Sequence, residues 1–134
     1  MLPVTADTIR LTLHVLAACV WVGGQITLAG LLPALRGLGD DAPRTVARAF
    51  NRVAWPAFGV LLVTGVWNLL EVQVGDRDTE YHVTLGVKLL VVAASGIAAG
   101  VHASTRTRSV LAVTGAVGAL ASLAAVLLGV QLAA

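Results

Sequence analysis

The chain has 134 residues, of which 57% are hydrophobic and 12% charged, and its mean hydropathy is +0.88. A water-soluble domain of that length carries about 25% charged residues to solvate its exterior, so that class is excluded. A formal charge of +2 is too small for a nucleic-acid partner, and the apolar blocks leave no length for a soluble catalytic or DNA-reading domain.

Those blocks fall at 11–35, 53–70, 83–103 and 110–133, each near the ~20 residues with which an α-helix crosses hydrocarbon. The expected fold is therefore all-α: an integral membrane four-helix bundle of up-and-down topology. One domain over 1–134 is expected, with spans at about 9–37, 43–73, 81–104 and 108–133.

Near the start, Leu16-Ala17-Ala18-Cys19 has the look of a lipoprotein cleavage box, but the chain stays apolar through Val20-Trp21-Val22. A removed signal would turn polar there, so the segment reads as a span. Cys19 is the single cysteine, which excludes an intrachain disulfide and any Cys-x-x-Cys site, and it reads as a packing residue. At 100° per residue His14, Ala18, Trp21 and Gln25 share one side of the first helix.

The break that follows, Gly37 to Pro43, holds helix-ending glycines, an aspartate cap and a helix-starting proline. Arg44, Arg48 and Arg52 then recur at four-residue spacing, lining one side of the second helix at headgroup level. That stripe reads as a topology anchor on anionic membrane lipid. Pro56 lacks the N–H that a helix needs and predicts a kink. Ala57, Thr64, Asn68 and Glu71 share a face further along.

On the third helix Tyr81, Lys88, Ser95 and His102 recur every seven residues and form one polar stripe, which must face protein. The last span has Gly115, Gly118, Ala119 and Ser122 at three- and four-residue spacings. It reads as the packing member, and its small residues suit self-association into a homo-oligomer as well as packing inside one bundle.

Orientation follows from the arginines. Arg36, Arg44, Arg48 and Arg52 lie in the first connection and Arg106 and Arg108 in the third, whereas the middle one carries Glu71, Asp76, Asp78 and Glu80 against Arg77. Basic loops stay cytoplasmic, so both termini and the 71–80 loop are expected outside.

A charged or strongly polar side chain at mid-bilayer costs about 2.5–3.5 kcal/mol on insertion scales, which makes each one a functional hypothesis. With this topology His14 and Lys88 lie at similar depth in the outer half, Glu71, Asn68 and His82 stand near the outer mouth, and His102 lies toward the opposite end. Histidine nitrogens in bundle cores ligate haem iron, copper or zinc; the plainer alternative is a hydrogen bond to a neighbour, or for Lys88 an ion pair with Glu71 or snorkelling to the interface. Copper(I) prefers thioether and thiolate, and the chain offers Met1 and Cys19, the latter about 140° around the helix from His14. Haem asks for one or two axial side chains and an apolar slot.

The same positions carry a family resemblance. His14-Val-Leu-Ala-Ala-Cys-Val-Trp21-Val-Gly23-Gly24 resembles the His-x6-Trp-x-Gly-Gly opening of the copper resistance protein D (CopD) domain. Arg48-Ala-Phe50-Asn-Arg-Val-Ala54, with Leu62-Val-Thr64-Gly65, is similar to that family's second segment. Thr79-Glu-Tyr81-His82-Val-Thr-Leu85-Gly-Val-Lys88-Leu89 is similar to its third, with His82 where the family usually has glycine. The spacing of His14 to Trp21 and the pair Pro56-Ala57 also resemble the HemJ-type protoporphyrinogen oxidases, membrane proteins associated with haem b.

The resemblance implies a bacterial cytoplasmic (inner) membrane protein. Copper handling, uptake or tolerance, is the first expectation; a haem b redox protein is the second, a structural subunit the third, and whether the chain is an enzyme stays open. The expected cofactor-binding residues are His14, Lys88 and Trp21, and the expected metal ligands are His14, His82 and Glu71.

Overall fold

The computed structural model describes Met1 and residues 3–134. Among the described residues the structure is all-α with no strand, and four helical segments are each long and apolar enough to cross a membrane. The first segment, Ala6–Gly37, is made of α1 (Ala6–Ala18), one widened turn (Cys19–Gly23) and α2 (Gly24–Gly37). The others are α3 (Ala42–Glu71), α4 (Thr79–Ser104) and α5 (Arg108–Ala133), with a short 3₁₀ turn at Val74–Asp76. The segments have 32, 30, 26 and 26 residues. At 1.5 Å per residue each exceeds the ~30 Å of a hydrocarbon core.

Side-chain placement is the inverse of a soluble fold. Leu13, Leu16, Val63, Leu90, Ile97, Leu120 and Leu127 are exposed, while the buried apolar residues are Ala17, Trp21, Ala54, Ala98 and Ala121. Lipid solvates large apolar groups as well as a protein core does. Helices in it therefore associate through small residues that allow close approach and through polar side chains that find partners.

The chain forms two compact units, Met1–Val72 and Gln73–Ala134. In the first, Thr5 caps α1 with its hydroxyl on the Thr8 N–H at 3.2 Å, and Thr8 reaches back to the Thr5 N–H at 3.4 Å, in the role that glutamate usually takes in a capping box. The chain turns at Gly39, whose φ of +125° lies where side chains are strained. Asp41 adopts helical backbone angles and its side chain makes no capping bond, so the turn is held by glycine geometry and by Pro43 in the first turn of α3. α3 runs on through Pro56.

The two helices of this unit are antiparallel, because residue numbers rise on one as they fall on the other. His14 meets Thr64, Trp21 meets Phe58, and Gly24 lies beneath Phe50. A Cβ on Gly24 would overlap the Phe50 ring, which explains glycine at that position. The widened turn Cys19–Gly23 carries the middle one of these contacts. It accommodates one extra residue, about 100° of rotation, so the face predicted to run from His14 to Gln25 is broken there. Gln25 Nε2 donates instead to the Trp21 carbonyl at 3.0 Å, and Thr27 Oγ1 to the Gly23 carbonyl at 2.8 Å.

In the second unit Asp78 caps α4 by accepting the Tyr81 N–H at 2.8 Å. α4 and α5 form an antiparallel hairpin across residues 105–107. Three residues of the stripe predicted on α4 lie along that seam, while Tyr81 at its start packs against Arg77 and His82. Lys88 is beside Gly129, Ser95 shares a 2.7 Å hydrogen bond with Ser122, and His102 meets Thr114 at 3.1 Å. Seven-residue steps on α4 are thus matched by steps of seven or eight on α5, the spacing of a left-handed helical seam. Gly118, Ala121 and Ser122 are buried.

Candidate functional site

His14, half-buried on α1, faces Thr64, which is 3% exposed on α3. His14 Nδ1 lies 2.7 Å from Thr64 Oγ1. The threonine hydroxyl has one proton, and it donates it to its own helix, to the Val60 carbonyl at 2.6 Å. Its oxygen can therefore only accept from the imidazole, which puts a proton on Nδ1 and leaves the lone pair on Nε2. An imidazole whose Nδ1–H is held by a neighbour and whose Nε2 carries the lone pair is the form that ligates iron, copper or zinc. A Cβ on Gly65 would stand 3.7 Å from His14 Cε1, so the ring lies over a threonine–glycine step.

Two turns further along the first segment, in the widened turn, an aromatic group follows. Trp21, 4% exposed, packs against Phe58 with ring centroids 4.4 Å apart and edge-on against Trp55 at 5.5 Å. Such rings form a rigid apolar wall.

One turn before His14, toward the N-terminus, stands a residue that the sequence reading passed over. Arg10 is 6% exposed, although it opens an apolar run. Its Nη2 pairs with the exposed Asp7 at 3.0 Å. Its Nε and Nη1 are buried and have no hydrogen-bond partner among the described residues, and the same holds for Asn68 Oδ1 on α3. Since His14 meets Thr64 in an antiparallel pair, four residues back on α1 and four forward on α3 bring Arg10 level with Asn68. The available signal was spacing: Asp7, Arg10 and His14 follow one another at three and four residues, on one face.

Glu71 and His82 have local partners. Glu71 is exposed and accepts the Trp67 indole N–H at 3.1 Å, one turn back on its own helix. In the second unit His82 is exposed at the start of α4, with Nδ1 donating to the Asp78 carbonyl at 2.7 Å. Lys88 is half-buried, with Nζ 3.2 Å from where a Cβ on Gly129 would stand. Among the described residues no group of three or more His, Cys, Asp or Glu side chains could hold a metal ion, so the set His14, His82 and Glu71 has no such cluster to support it. Arg44, Arg48 and Arg52 are exposed along the first turns of α3.

His102 repeats the first arrangement in the second unit. Its Nδ1 meets Thr114 Oγ1, which donates to the Val110 carbonyl at 2.6 Å, and Gly115 follows the threonine as Gly65 follows Thr64. The difference is burial: His102 is exposed and Thr114 half-buried.

No family model matches the chain, and no curated protein or solved structure matches it either. The arrangement therefore has to be interpreted from its chemistry. Haem fits the first unit's donor set, one imidazole in ligating form beside glycine and aromatic surface. A copper centre would need several converging donors.

Proposed function

We propose that the chain is a multi-pass protein of the bacterial inner membrane that holds haem b through His14 and takes part in membrane redox chemistry. The observation that carries this reading is the hydrogen-bond relay from His14 through Thr64 to the Val60 carbonyl, which sets the ring in the tautomer that offers Nε2 to iron. Bound haem would supply one-electron chemistry. The chain's own part is to orient the imidazole through Thr64, with Gly65 beside the ring and the Trp21–Phe58 pair as the nearby apolar surface.

Copper handling is the second reading. It is favoured by the order of the CopD-like segments and by the way their residues pack on one another: His14 on Thr64, Gly24 beneath Phe50. Against it stands the donor inventory, one cysteine and one methionine in the whole chain.

Purification in detergent separates the readings. A Soret band that disappears in His14→Ala supports haem. A colourless protein that keeps copper through dialysis, and loses it in the same variant, replaces haem with copper. A protein with neither property leaves the structural-subunit reading, in which the polar residues only join helices.

A further inference from the structure

The relay at His14 leaves a second feature of the first unit unaccounted for. Arg10 places a guanidinium where it is 6% exposed, and two of its three nitrogens, Nε and Nη1, find no partner among the described residues. Its one ion-pair partner, Asp7, is 68% exposed on its side chain, where solvent screens the attraction. Level with it, Asn68 Oδ1 is also buried and has no hydrogen-bond partner among the described residues. Buried donors of a cation are among the most costly groups to leave unmade, and folded proteins keep them so where something else completes the site.

The geometry points to a carboxylate receptor: we infer that Arg10, with Asn68 opposite, receives a carboxylate of the porphyrin whose iron His14 ligates. The inference rests on the haem reading above and deepens it. A planar guanidinium matches a carboxylate's two oxygens better than any other side chain does. The amide of Asn68, turned by 180°, presents Nδ2 where Oδ1 now stands and adds a donor to the same anion. Arg10 precedes His14 by four residues, one turn and about 6 Å of rise on the same face of α1. A porphyrin bears its carboxylates on one edge of an otherwise apolar ring, so ring and edge match the apolar wall and the buried Arg10 cation of this unit.

The test uses the full-length protein in detergent and two colour-independent probes, metal-free protoporphyrin IX and its dimethyl ester, followed by fluorescence. Neither contains iron, so failure of the haem reading and failure of this inference are seen separately. The wild type is expected to bind the free acid about tenfold or more tightly than the diester, and Arg10→Gln to bind both at the diester's affinity. Equal binding of acid and diester by the wild type overturns the inference. So does an Arg10→Gln variant whose affinity for the acid changes by less than about twofold, which assigns the guanidinium to a lipid phosphate. Should Arg10→Gln not fold, Arg10→Lys retains the charge and loses the fork. It is expected to bind the acid several-fold more weakly, and wild-type affinity in that variant overturns the inference equally.

Discussion

At the scale of single residues, the informative contrast is between two histidines with the same partner type. His14 and His102 each meet a threonine that donates to the carbonyl four residues earlier, and each threonine precedes a glycine. What separates them is burial, since Thr64 is 3% exposed while His102 lies on the surface. Thr64→Val keeps the shape and removes the acceptor that sets the tautomer. It is expected to weaken haem binding by about 10–100-fold in a titration followed at the Soret band. Thr114→Val is expected to leave that affinity within about twofold, and equal losses in both variants would show that the orienting bond is not the cause. His14 was legible in the sequence, because an ionisable group inside an apolar run stands out. Its tautomer was not, because the group that sets it is 50 residues away in the chain. Arg10 was missed for another reason: a charge at the edge of an apolar run ordinarily faces water or headgroups, and its burial depends on tertiary packing.

At the scale of elements, the stripe on α4 shows how far periodicity reaches. A seven-residue repeat of Lys88, Ser95 and His102 required a protein-facing seam, and α5 meets it with Gly129, Ser122 and Thr114. The widened turn at Cys19–Gly23 had no comparable signal, since Cys-Val-Trp-Val-Gly reads as ordinary membrane helix. The close approach of α2 and α3 makes a sharper prediction. Gly24→Ala places a methyl group in the Phe50 ring and is expected to lower stability in detergent by about 1–3 kcal/mol, measured by thermal unfolding. Adding Phe50→Leu should return most of that loss, and strictly additive effects would mean that the two residues do not compete for one space.

For the molecule as a whole, the testable quantity is orientation. Arginines on the connections after α2 and before α5, against the acidic 71–80 segment, predict that both termini lie outside. In a Cys19→Ser background, a cysteine at position 75 is expected to react with a membrane-impermeant maleimide added to intact cells, and one at position 107 only after lysis. The reverse pattern would invert the orientation and move the basic stripe Arg44, Arg48 and Arg52 to the outer face. Composition and hydropathy alone determined four apolar helices and the all-α class, because in hydrocarbon a helix satisfies its own backbone and needs no distant partner. Tertiary structure alone decided that His14 is held by Thr64, that Ser95 meets Ser122 and that the Arg10 guanidinium is buried with unmet donors. Those outcomes depend on the register of one helix against another. Register is set by where small residues and widened turns allow backbones to approach, which no single helix carries in its own period.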